Sequence, residues 1–169
     1  MTRVAIQGAS GAFSHAAAIK ALGSDVEIME CRTSDALFDA VSDGIALYGV
    51  VPVENTLAGS VQRNMDLLFQ PEIHIVAEAR IRIRLCLAVR PGYSISQIRR
   101  VASHPVALQQ CQGFFSRNPL IEAVTAFDTA GSVRDLMAGD ADYDAAISSE
   151  FAASLYGANV LEKNLEDHE

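Results

Sequence analysis

The chain has 169 residues, half of them hydrophobic, and a formal net charge of −8, so it can bury a sizeable core as one domain or two small lobes without covalent staples. The acidic balance argues against nucleic acid and anionic membranes as partners, since both call for clustered Lys and Arg. Cys31, Cys86 and Cys111 are odd in number, far apart and without a Cys-x-x-Cys spacing, which points to packed or free thiols and away from disulfides or a zinc site.

The first strand-like run, 3–7, starts at once, with neither an apolar signal region nor a run long enough to cross a bilayer, and a cytoplasmic location is expected. Gln7 to Ser14 (QGASGAFS) follows, and its glycines permit a tight turn with free backbone N–H groups before an Ala-rich helix over 14–22. Such a helix start attracts carboxylate or phosphate. The G-x-x-G spacing is looser than the dinucleotide fingerprint, and only Glu30, closing a strand over 26–30, stands where a ribose needs an acid. His15 is a conceivable general base, but a lone His beside such a helix reads first as a surface or capping group.

A helix over 35–42 and a strand over 47–53 come next. The stretch Gly49 to Thr56 (GVVPVENT) breaks an apolar run at Pro52 and delivers Glu54, Asn55 and Thr56 in succession. A helical period follows over 59–69, with Val61, Met65, Leu68 and Phe69 on one side, so the three polar residues fall between a strand end and a helix start. Taken singly, Asn55 or Thr56 is an ordinary helix cap. Residues 73–89 contain no Gly or Pro, and Arg80, Arg82 and Arg84 alternate with Ile81, Ile83 and Leu85, the period of a strand with one wet face. The run is long for one strand and reads as a crossover between two α/β lobes.

Strands over 100–103, 121–126, 145–147 and 159–161 alternate with helices over 106–116, 130–138 and 150–155, a βαβ pattern that predicts mainly parallel sheets with helices on their faces. Ser103 closes one strand, where its side chain is expected to face a cleft, and Gln110, about two turns into the next helix, can face the same ligand. The bland alternative makes Ser103 a cap, Pro105 a first-turn residue and Gln110 a solvated helix residue. Ser103 and His104 are adjacent, yet no G-x-S-x-G elbow accompanies them, so a hydrolase is not indicated. Ser14, Asn55 with Thr56, Ser103, Thr129 and Ser149 all occupy strand ends that precede helices. In an α/β layout such positions converge on one edge, giving a cleft rich in hydroxyls and amides that suits a small carboxylated ligand.

Nearly the whole chain resembles the catalytic domain of prephenate dehydratases. The resemblance rests on Gly8 to Ser14 (GASGAFS), Tyr48 to Thr56 (YGVVPVENT) with Gly59, Ser60 and Val61, and Ser103-His104-Pro105 with Gln109-Gln110-Cys111. Thr129-Ala130 and Ala145 to Glu150 (AAISSE), running on to Tyr156-Gly157, complete it. It implies an α/β, two-lobed fold of the type II periplasmic-binding kind, with mainly parallel sheets and a cleft between a first lobe, 1–78, and a second, 79–169. The activity implied is conversion of prephenate to phenylpyruvate, carbon dioxide and water in phenylalanine biosynthesis, with neither metal nor organic cofactor. Asn55, Ser103 and Gln110 are the catalytic candidates, and Ser14, Glu54, Thr56, Thr129 and Ala130 the substrate-binding ones. No nucleic-acid or membrane partner is implied, and the full-length protein is expected to be a homo-oligomer.

Two departures stand out. The family's Thr-Arg-Phe motif normally follows a segment like Val160 to Asp167 (VLEKNLED), whereas this chain stops at Glu169, before that motif, the second crossover and the regulatory ACT domain. On the resemblance the 169-residue chain is expected to be a weak or inactive catalyst. Leu85 stands near where many members have a histidine, and Asp128 where a hydroxyl residue is common. The same elimination on arogenate is the nearest rival, and a non-catalytic small-carboxylate binding module is the rival from another class; a purely structural interaction domain would need an exposed apolar patch.

Overall fold

The computed structural model describes residues 1–167, and the chain divides into two compact units, Met1–Ile81 and Arg82–Glu169. The first unit begins β1 (Thr2–Gln7), α1 (Phe13–Leu22), β2 (Val26–Cys31), α2 (Ser34–Ser42) and β3 (Tyr48–Val50). Its sheet has the order β2-β1-β3 with both pairings parallel. Val4, Ala5 and Ile6 of the central strand are wholly buried, as a parallel strand covered on both faces must be. Val4 and Ile6 pack with Ala18 and Val26, while Ala5 packs with Leu37, Phe38 and Ala40, so alternate side chains of one strand serve two cores. A fully buried Ile or Leu contributes about 1.5–3 kcal/mol here. Gly49 in β3 is small for a reason, because a Cβ there would meet Leu37 Cδ2 at 2.7 Å.

After β3 the chain does not run straight into a helix. Glu54–Asn55 (β4) and Gly59–Ser60 (β5) form a small antiparallel hairpin, and α3 (Gln62–Leu67) starts only beyond it. The strand expected over 47–53 ends at Val50, where Pro52, without an N–H, interrupts ladder pairing. The helical face expected from Val61, Met65, Leu68 and Phe69 is also corrected. The buried residues are Asn64 and Leu67, with Leu68 packed against the same core as expected, while Met65 is 40% and Phe69 85% exposed. A helix this short tilts by its hairpin anchor, and its apolar stripe does not fix which side faces the core.

The second unit contains β6 (Cys86–Val89), a 3-10 turn (Ile95–Gln97), β7 (Arg100–Ser103), α4 (Pro105–Gln109), α5 (Gln112–Arg117), β8 (Glu122–Thr125), α6 (Thr129–Ala138), β9 (Ala145–Ser148), α7 (Glu150–Tyr156) and β10 (Asn159–Lys163). The sheet order is β10-β6-β9-β7-β8, with β7 parallel to β8 and β9, and β6 antiparallel to β9 and β10. The class is thus α/β with mainly parallel pairing. Most helix starts carry their own acceptor: Thr33 takes Ala36 N, Asp128 takes Gly131 N and Ser149 takes Ala152 N, each worth about 1 kcal/mol.

Of the run 73–89, read as a crossover because it is long for one strand, only Cys86–Val89 is strand; Arg82 and Arg84 are exposed and Ile83 half-buried as the alternation suggests, and no neighbouring strand pairs with residues 73–84 among the described residues. The helix expected over 106–116 breaks at Cys111, whose φ of −120° and ψ of 31° stop one helix and start another. No helix among the described residues is long and apolar enough to cross a membrane.

Candidate functional site

In the first unit, β2 lies on one side of β1 and β3 on the other, so the connections leaving β1 and β3 part company at one sheet edge. Such switch points are where open α/β sheets bind ligands. Two candidate segments sit there, the loop leading to Ser14 and the turn carrying Glu54, Asn55 and Thr56. In the second unit β7 is the strand with parallel neighbours on both sides, and Ser103, Gln110 and Thr129 follow the C-terminal ends of β7 and β8.

The loop 8–12 does not offer the free N–H groups its glycines suggest. Gly8 N donates to Cys31 O (3.0 Å), Ser10 N to Glu30 Oε1 (2.6 Å), Gly11 N to His15 Nδ1 (3.0 Å) and Ala12 N to Ala9 O (3.1 Å). Gly8 and Gly11 are needed at φ of 97° and 90°, a region costly for other residues. Glu30, the one candidate for a ribose partner, is thereby tied to the loop. His15 accepts at Nδ1, so its ring proton sits on Nε2; burial lowers its pKa below 6.5 against the opposing pull of Glu30, and the imidazole is neutral. Ser14 is the second residue of α1 and half-buried.

Asn55 is half-buried on the hairpin, and Glu54 and Thr56 beside it are exposed. Its Oδ1 accepts from Leu57 N at 2.9 Å and Ala58 N at 3.0 Å, an Asx turn closing the hairpin. Backbone N–H groups only donate, so the amide is oriented by chemistry and Nδ2 is left with two hydrogens that go to no atom among the described residues. Asn55 is therefore a fixed donor on an open turn and not a helix cap. The short helix that follows the hairpin carries a further polar residue of interest. Asn64 is fully buried, donates from Nδ2 to Pro52 O at 2.7 Å, and leaves Oδ1 without a partner among the described residues. A buried unsatisfied acceptor costs about 1–3 kcal/mol. The sequence did carry the signal, a polar residue three beyond Val61 in an apolar stripe.

Ser103 does not face outward. It is wholly buried and its Oγ donates to Ile147 O at 2.6 Å, tying β7 to β9 one residue past their last ladder pair, Ala102 with Ala146. The α4 cap is His104, whose Nδ1 accepts from Val106 N at 3.3 Å. Ser103 and His104 thus point to separate partners and form no nucleophile–base pair. Gln110 closes α4, half-buried, with its carbonyl accepting from Asp167 N at 2.7 Å. The Asp167 carboxylate accepts from Gln112 N (2.7 Å) and Gly113 N (2.8 Å), capping α5 from 55 residues away and explaining the break at Cys111. Thr129, half-buried, is the first residue of α6, and Ala130 is fully buried, where it packs without offering chemistry of its own.

The thiols are inert. Burial, with help from nearby carboxylates, pushes Cys86 and Cys111 up to about 12, and burial raises Cys31 as well, so none is a thiolate at neutral pH. Among the described residues no three or more His, Cys, Asp or Glu gather as a metal site. The structure therefore joins Glu54, Asn55 and Thr56 on one turn and carries Ser14 in the first turn of α1; in the other unit it leaves Gln110 and Thr129 partly accessible while withdrawing Ser103 and Ala130.

A family profile described as prephenate dehydratase matches residues 4–169. The chain is 41% identical to arogenate dehydratase/prephenate dehydratase 2, chloroplastic, of Arabidopsis thaliana, over 98% of this chain and 43% of that protein. It thus spans less than half the length of that curated relative. Among solved structures, prephenate dehydratase from Arthrobacter aurescens in complex with L-Phe is 30% identical, with a TM-score of 0.89 over 99% of this chain and 56% of that one. A chain described as a novel type of quorum-quenching acylase is 34% identical, with a TM-score of 0.84 over 98% of this chain and 60% of its own length.

Proposed function

The chain belongs to the prephenate dehydratase family, and from that premise we propose that it supplies catalytic machinery to an enzyme converting prephenate to phenylpyruvate, carbon dioxide and water. In this reaction the bond to the ring carboxylate breaks and its electron pair moves into the ring. The bond to the ring hydroxyl then breaks, and the departing oxygen takes up a proton to leave as water. The new aromatic ring supplies the driving force. The protein has only to orient the dianion and stabilise the oxygen as it leaves, which needs neutral hydrogen-bond donors and a positioned proton source more than a strong base.

The single observation that carries this reading is the Asn55 turn. Its amide oxygen is fixed by two backbone donors, which aims Nδ2 with little freedom left to lose on binding. We assign Asn55 to the departing oxygen and Ser14, Glu54 and Thr56 to the binding shell of the first unit, and keep Gln110 and Thr129 as the second unit's own candidates for substrate contact. Ser103, catalytic in the sequence reading, acts in this account through the strand it ties to Ile147. The test is phenylpyruvate formation from prephenate by the protein extended to the length of its relatives; activity that survives loss of the Asn55 amide overturns the assignment.

Arogenate is a second reading, favoured by the Arabidopsis relative's name. The two substrates share the reacting ring and differ in the side chain, keto or amino, so the kcat/KM ratio for prephenate over arogenate decides between them. An acylase reading, prompted by the third relative, lacks support in the geometry. Acyl transfer needs an activated nucleophile, yet Ser103 is buried against Ile147 O and the cysteines are protonated.

A further inference from the structure

Asn64 occupies a place that packing alone would give to leucine. Leucine has the same branched outline with bulkier ends, and it would leave no orphaned acceptor where Asn64 leaves Oδ1, at the cost of the donor to Pro52 O. What the amide adds is one directed bond, from Nδ2 to Pro52 O. Pro52 has no N–H of its own, so its carbonyl is the one backbone group by which a neighbour can hold it. The next carbonyl, Val53 O, accepts from Val61 N at 2.9 Å. Two successive carbonyls before Glu54 are therefore pinned to the first turn of α3, one by a side chain and one by the backbone. The hairpin then hangs from that anchor through the pairs Glu54–Ser60 and Asn55–Gly59. Those two bonds hold the base of the hairpin, while the Leu57 and Ala58 donors turn the Asn55 amide upon it.

The geometry points to Asn64 as a positioning residue for Asn55, an assignment that rests on the proposed dehydratase reading. Asn64 touches no reacting atom; it sets where the Asn55 donor stands. A displacement near 1 Å at a reacting group costs about 100-fold in rate, which is the scale expected when this anchor is lost.

The test is Asn64→Leu in the protein extended to the length of its relatives, with Asn64→Ser as a second variant should the leucine prevent folding. The expected result is a kcat about 30- to 100-fold lower with KM within about threefold of the wild type, beyond whatever fall in thermal midpoint follows from the donor that Pro52 O loses. A purely structural residue would move the midpoint and leave kcat of the folded fraction alone; wild-type kcat in a folded variant overturns the proposal. The amide resonances of Leu57 and Ala58, which report the Asn55 turn directly, are expected to shift in either variant while those of β1 stay in place. Should the wild-type protein turn over neither prephenate nor arogenate, the functional reading fails, and unmoved Leu57 and Ala58 resonances would by themselves overturn the positioning role.

Discussion

Asn55→Asp separates the two jobs of Asn55 more cleanly than alanine does. The carboxylate keeps both acceptors for Leu57 N and Ala58 N, bonds now at 2.9 and 3.0 Å, and the site is open enough that an added charge remains hydrated. Stability should therefore change by less than about 0.5 kcal/mol. The donor, however, is gone, and a negative group faces the oxygen that must leave. Removing one such donor costs about 10²–10³ in kcat, equivalent to about 3–4 kcal/mol of transition-state stabilisation. Asn55→Ala should lose a similar factor, and in addition about 1–2 kcal/mol of stability from two side-chain-to-backbone bonds, a fall of about 2–8 °C in midpoint. The assay pairs phenylpyruvate formation, read at its enol absorbance in alkali, with urea unfolding of each variant. An Asn55→Asp protein that is as stable as wild type and retains kcat within about threefold would refute the assignment of Nδ2 to catalysis.

Further expectations concern the frame around that turn. Since burial holds the His15 pKa below 6.5, the unfolded chain takes up this proton first; the contribution is complete above about pH 6.5 and shrinks as pH falls. Urea unfolding between pH 7.5 and 5.5 should accordingly show the wild type losing more stability than His15→Gln, and parallel curves would contradict this. Ser103→Ala should destabilise the protein by about 1–3 kcal/mol, because the Ile147 carbonyl loses a buried partner, and an unchanged urea midpoint would mean that the tie is dispensable. Asp167→Ala should cost about 0.5–2 kcal/mol by uncapping α5, with faster amide exchange at Gln112 and Gly113 as the local signature. The three thiols should resist a disulfide reagent at pH 8 in the native state and react only on unfolding, Cys86 and Cys111 being raised to about 12; rapid native labelling would show that the burial is wrong.

Periodicity made the larger elements legible. β7 is found at the expected residues, and α1, α2, α6 and α7 start within a residue or so of their expected positions, because Ala-rich or amphipathic runs with Thr33, Asp128 and Ser149 at their heads state their own boundaries. The failures share a cause. Where a boundary depends on a partner distant in sequence, local pattern is silent: Asp167 holds Gln112 N from 55 residues off where the helix breaks, and residues 73–84 look like strand but pair with no strand among the described residues. Residue type and junction name the Asn55 turn, Gln110 and Thr129 as candidates, and the structure leaves all three at least partly accessible. Orientation was not legible. The direction of Ser103 follows from the sheet register, the loop donors at 8–12 are spent on Cys31, Glu30 and His15, and Asn64 was passed over because the phase of a six-residue helix is set by its hairpin.

Turnover of prephenate tests the central claim most directly. The 169-residue chain and a version extended to the length of its curated relatives would be given prephenate and, separately, arogenate, with phenylpyruvate and phenylalanine measured as the respective products. The account predicts phenylpyruvate from the extended wild type and a loss of about 10²–10³ in kcat for its Asn55→Asp variant. Failure of the folded wild-type protein to form either product, or full activity without the Asn55 amide, would contradict it.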